Sequence, residues 1–187
     1  MEFDLQPTLK DSLIVVRPLR PEDFDALFAV ASDPLIWEQH PSHDRYELPV
    51  FRAFFKEALD SGGAFAIVDA KTGRIIGSSR FHAYGNFRRE VEIGWTFLAR
   101  EYWGGTYNRA LKGLMLRHAF RFVDSVIFRV GPLNIRSRRA LENIGAVYVG
   151  VRKEDTGKES AIYRMTAATF TSPAGFSGDV PSRERTA

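Results

Sequence analysis

The sequence predicts an α+β fold in which a mixed, mostly antiparallel sheet of about seven strands carries helices on both faces. Three observations predict it. Short β-branched runs alternate with stretches of helical spacing along most of the chain, the segment 64–98 holds three strand-like runs joined by tight turns, and Val91 to Phe122 reads as strand, glycine turn and helix.

Ser12 to Leu19, SLIVVRPL, is rich in β-branched residues and ends at a proline, which suits a first strand. Pro21 then opens a helix, Glu22 and Asp23 put negative charge in its first turn, and Phe24, Leu27, Phe28 and Ala31 repeat at helical spacing. Between Ser32 and Pro49 no period holds; this segment, with Trp37, His40 and His43, reads as a functional loop or broken helix. A second helix starts at Pro49, buries Phe51, Phe54, Phe55 and Leu59, and stops at Ser61-Gly62-Gly63.

Ala64 to Ala70 and Arg74 to Ala83 form an antiparallel hairpin about Lys71-Thr72-Gly73, and Arg89 to Leu98 joins it as a third strand. From Gly105 to Val123, Leu111, Leu114, Met115, His118 and Phe122 define a broad apolar helix face suited to packing on a sheet. Ser125 to Val130 is a strand and Asn134 to Ile144 a helix, and this strand-helix-strand order implies parallel neighbours joined by a crossover. Val147 to Arg152 and Ser160 to Thr166 close the sheet as a hairpin about Thr156-Gly157.

A chain of 187 residues suits one domain, read as 12–170 with an N-terminal extension over 1–11 and a disordered tail over 171–187. The absence of cysteine excludes disulfides, thiolate metal sites and a cysteine nucleophile. Four scattered histidines give no metal-ligand spacing, so no metal is expected. No apolar run reaches membrane-spanning length and no signal peptide is evident, so a cytoplasmic location without a membrane partner is the expectation. A net charge of +3, with basic and acidic residues interspersed, argues against a nucleic-acid partner.

Three motifs stand together: Val91-Glu92-Ile93-Gly94-Trp95; Tyr102-Trp103-Gly104-Gly105-Thr106-Tyr107-Asn108-Arg109-Ala110-Leu111; and Asn134-Ile135-Arg136-Ser137 leading to Ile144-Gly145-Ala146. With the element order, they resemble the GNAT acyltransferase fold, and within it the branch containing ribosomal-protein N-terminal acetyltransferases. The resemblance covers Leu13 to about Met165. It implies an N-acetyltransferase that moves an acetyl group from acetyl-CoA to a primary amine, of a protein N-terminus or a small molecule, by direct attack in a ternary complex. It leaves monomer or homodimer open, and the alternative is a non-catalytic acyl-CoA-binding or sensory module.

The local physics agrees with the cofactor part of that reading. Glycine allows backbone to approach a ligand, and the free N–H groups and positive dipole end of a helix make an anion site, so Gly104, Gly105, Thr106, Tyr107 and Asn108 offer a pyrophosphate cradle. Arg109 belongs to the same loop. The family pattern has Gln or Arg where Glu101 stands and Gly or Ala where Thr106 stands; Arg100, Arg109 and Lys112 are placed to offset Glu101. The resemblance further implies that backbone of Thr96, Phe97 and Leu98 binds the pantetheine arm of acyl-CoA, which lies where two parallel strands splay apart.

Strand alternation puts Glu92 with Glu90 and Gly94 on one face, and Val91, Ile93, Trp95 and Phe97 on the other. A glutamate in mid-strand serves either as a general base for the amine or as an ion-pair partner of Arg80, Arg88 or Arg89. Asn134 is a natural helix N-cap; the resemblance adds contact with the pantetheine arm, and puts Ser137 beside the departing sulfur. Leu141 occupies the position of the acid tyrosine of many GNAT enzymes, which excludes a tyrosine there. Trp37, His40 and Tyr84, with His43, Asn86 and Phe87, would flank the acceptor site, whereas His82 and His118 read as structural.

Overall fold

The computed structural model describes residues 3–85, 89–153 and 157–170. Eight strands form one sheet in the order β1-β2-β3-β4-β5-β6-β8-β7. They are β1 (Leu9–Lys10), β2 (Ile14–Pro18), β3 (Ala64–Asp69), β4 (Ile75–Gly85), β5 (Glu90–Leu98), β6 (Ser125–Val130), β7 (Val147–Lys153) and β8 (Glu159–Thr166). Among the described residues the four α-helices are α1 (Phe24–Ala31), α2 (Leu48–Asp60), α3 (Thr106–Ala119) and α4 (Ile135–Glu142). Every expected strand and α-helix is present among the described residues; the added strand is β1, whose two residues are too few to carry a period. The proposed tail and Asn86, Phe87, Arg88 and Thr156 lie outside the described residues.

β5 and β6 are the parallel pair, connected through α3. All other neighbours are antiparallel. The later crossover through α4 does not make parallel neighbours, because β8 inserts between β6 and β7.

The sheet is apolar on both faces. On one, Ile14, Val16, Ile67, Val91 and Ile93 pack with Leu111, Met115 and Ala119 of α3. On the other, Leu27 of α1 and Phe51, Phe54 and Phe55 of α2 cover Ala66 and Phe97. Each large side chain removed from water this way contributes roughly 1.5–3 kcal/mol. Within the N-terminal extension, Phe3 is buried against Phe81, Tyr84, His118 and Phe122, and His118 Nε2 lies 2.7 Å from the Asp4 carbonyl.

Alternation along β5 breaks at a bulge. Ser78 pairs with Phe97 and Arg80 with Gly94, so Ser79 opposes both Trp95 and Thr96. Trp95 adopts φ of 52°, the left-handed region that bulky residues rarely enter. The extra residue moves Trp95 and Phe97 to the α2 face while Val91 and Ile93 stay on the α3 face, correcting the simple period-two assignment.

Candidate active site

β5 and β6 pair only from Glu90–Ser125 to Glu92–Ile127 and then diverge. The divergence opens a cavity of about 430 Å³ between the sheet, α3, α4 and the early loop. Glu92, the last paired residue of β5, stands at its apex, 4% exposed. Its Oε2 lies 3.1 Å from Arg129 Nε on β6. A Cβ on Gly94 would come within 3.3 Å of Glu92 Oε1, so the glycine leaves the carboxylate its space.

Among the described residues Glu92 forms its ion pair with Arg129; Arg88, a third candidate partner, lies outside them. Arg80 pairs with Glu57 and stacks on Trp95, and Arg89 pairs with Asp124. Arg129 lies on a strand whose register against β5 no local pattern reveals. His82, directly across β4–β5 from Glu92, lines the cavity, and burial together with Arg80 and Arg129 holds its imidazole below the usual value.

At the far end of the gap, Gly104 and Gly105 have φ of 101° and 102°, and a Cβ on either would meet nothing within 4 Å. They are therefore glycine for backbone conformation, with open space before them. α3 begins at Thr106 without any side-chain cap. The first-turn N–H groups of Thr106, Tyr107 and Asn108 have no partner within the helix and face the position an anion would take. Tyr107 spends its hydroxyl elsewhere, donating to Asp69 at 3.1 Å and fixing the helix start to the β3–β4 turn. Glu101 and Arg109 are exposed. An unfilled strand edge ending at an uncapped helix suits a long ligand with an anionic end, which is the chemistry of a CoA thioester.

Asn134 caps α4, its side chain accepting the Ser137 N–H at 3.1 Å, and both residues line the cavity. Thr96 lines it too; Phe97 and Leu98 continue the unpaired edge of β5, Leu98 with its carbonyl bonded by the Trp103 indole. Leu141 is buried in the same wall.

In the early loop, Trp37 lines the cavity, is 2% exposed, donates to the Ala31 carbonyl at 2.8 Å and packs on Phe97. His40 packs against Trp37 and lies 3.3 Å from Arg45, whose guanidinium covers Phe54. Burial, then the Arg45 charge, pushes His40 down to about 4, so it is neutral at physiological pH. Tyr84 is not brought to the cavity: it stacks on Phe3 at 5.0 Å between ring centres, beside the α3-side core.

Lys112 is the largest departure from expectation. It does not reach toward Glu101 at the surface but turns inward, 4% exposed, and lines the cavity with its Nζ 2.6 Å from Thr96 Oγ1. Burial pulls its ammonium down to about 7. Among the described residues no cluster could hold a metal ion, and no helix is long and apolar enough to cross a membrane.

A family model described as acetyltransferase (GNAT) domain matches residues 14–147. A solved structure assigned as an acetyltransferase is 27% identical, with 87% of each chain covered and a TM-score of 0.72. Mycobacterium smegmatis RimJ, solved with CoA-disulfide, is 19% identical over 87% of each chain with a TM-score of 0.65. Spermidine N-acetyltransferase from Vibrio cholerae, solved with CoA and spermine, is 16% identical over 85% of this chain and 98% of its own, with a TM-score of 0.66. No curated protein matches the sequence.

Proposed function

Starting from the chain's membership of the GNAT acetyltransferase family, we propose that it transfers an acetyl group from acetyl-CoA to a primary amine, of a protein N-terminus or a small molecule, by direct attack in a ternary complex. The observation that carries this reading is Glu92, a buried carboxylate at the apex of a splayed parallel pair whose open edge leads to an uncapped helix start. The chemistry supplied by the bound thioester is an activated acyl group.

Glu92 takes the proton of the acceptor amine, directly or through water. Backbone of Thr96, Phe97 and Leu98 holds the pantetheine arm, and an N–H of that edge polarises the acyl carbonyl. The loop from Gly104 to Arg109 receives the pyrophosphate on its N–H groups. Asn134 contacts the arm while capping α4, and Ser137 offers a hydrogen bond near the sulfur. Trp37 and His40 shape the acceptor side. Residues 12–170 form the catalytic unit, with 3–11 laid along it.

A place in the branch of ribosomal-protein N-terminal acetyltransferases is supported by the glycine-loop and late-helix motifs and by the likeness to RimJ; the likeness to the spermidine enzyme supports a polyamine acceptor equally. An acceptor panel of short peptides with free N-termini, polyamines and amino sugars, read by thiol release from acetyl-CoA, tests the proposal. Amine-dependent release and an acetylated product are expected; thiol release that no amine accelerates would overturn it.

A further inference from the structure

Lys112 is a buried cation among groups that do not neutralise it. Its hydrogen-bond acceptor among the described residues is Thr96 Oγ1, itself 2.8 Å from Ser79 Oγ, and the Phe128 ring lies 5.6 Å from Nζ. The ionisable groups lining the cavity are Glu92 with Arg129 on the sheet, His82 on β4, and His40 and Arg45 on the early loop; none forms an ion pair with Lys112. An ammonium withdrawn from water without a counter-ion costs several kcal/mol. Joining α3 to β5 does not require that cost, since a neutral donor would bond Thr96 as well. An anion arriving in the cavity would repay it.

The proposed reaction produces such an anion at the sulfur. Leu141, which lines the cavity from α4, has no proton to give. Lys112 and Thr96 line the same cavity as Asn108 and Ser137. Building on the acetyltransferase reading above, we propose that Lys112 is a catalytic residue: held by Thr96 in the gap between β5 and β6, its ammonium faces the thioester sulfur, stabilises the departing CoA thiolate and protonates it.

The step balances. As the amine nitrogen bonds to the acyl carbon, Glu92 accepts the proton that nitrogen sheds. The carbon–sulfur bond breaks with its electron pair on sulfur, and Lys112 gives sulfur one proton, leaving CoA thiol and a neutral lysine. Glu92 returns its proton through solvent and Lys112 regains one. A lysine drawn down to about 7 can give and regain a proton at neutral pH.

The test reads the thiol of bound CoA, with no acceptor amine present. The thiolate absorbance of the CoA complex is followed against pH for wild type, Lys112→Met and Lys112→Arg, with binding verified by calorimetry and folding by circular dichroism. A cation at the sulfur makes the bound thiol at least about tenfold more acidic in wild type than in free CoA. Lys112→Arg keeps most of that gain and Lys112→Met loses it, while Lys112→Met melts no lower than wild type because a buried charge is removed. A bound thiol in wild type no more acidic than free CoA overturns the proposal even if the variants do not fold, as does equal acidity in wild type and Lys112→Met. Failure of wild type to bind CoA at all would instead overturn the acetyltransferase reading on which it rests.

Discussion

Glu92 and Arg129 meet across the parallel pair, Oε2 to Nε at 3.1 Å, at the point where β5 and β6 separate. The pair holds the carboxylate at the cavity apex, an arrangement compatible with the proposed role as base. Glu92→Gln keeps the shape and removes the proton acceptor. Turnover should fall by about 10²–10⁴-fold with CoA affinity within about twofold of wild type, measured by steady-state kinetics and calorimetry. An unchanged rate would remove Glu92 from the mechanism.

Gly105 has room for a side chain but a φ of 102° that side chains resist. Gly105→Val should therefore cost about 1–3 kcal/mol, either as lost stability or as a relaxed loop that no longer presents its N–H groups. We expect CoA to bind about tenfold or more weakly, and the loss to be smaller for a pantetheine thioester lacking the pyrophosphate. Equal losses for both ligands would place the anion site elsewhere.

His40 makes stability depend on pH in a defined window. The unfolded chain protonates this histidine near 6.5 and the folded protein only near 4, so between those values the unfolded state binds more protons. Stability is then fully present above 6.5 and declines as pH falls toward 4, by up to about 3 kcal/mol. His40→Gln should flatten that part of the profile in chemical denaturation at a series of pH values; an unaltered slope would assign the dependence to other groups.

Phe3, 6% exposed, contacts four aromatic residues of the α3-side core. Phe3→Ala, or removal of residues 1–11, should destabilise the protein by about 3–5 kcal/mol in denaturant unfolding. A change below about 1 kcal/mol would show that the segment is dispensable for stability.

The order of elements was legible because each is set by local rules. Periods of two and 3.6, prolines at helix starts and glycines at ends act over a few residues, and they located the strand, turn and helix from Val91 to Phe122 and with it the cavity's two ends. Asn134 was likewise legible as a cap, because capping is local. What tertiary structure decided is which side chains look inward. The bulge at Trp95 shifted Trp95 and Phe97 to the other face, and no period encodes a bulge. Tyr84 went to Phe3 because a segment distant in sequence covers it. Arg129 reached Glu92 through the register of two strands joined by a helix. Lys112 turned inward because α3 is buried almost all round where it crosses the gap. Sequence by itself determined the frame and the carboxylate at its centre; the cations around that centre were chosen by long-range packing, which acts between residues that only folding brings together.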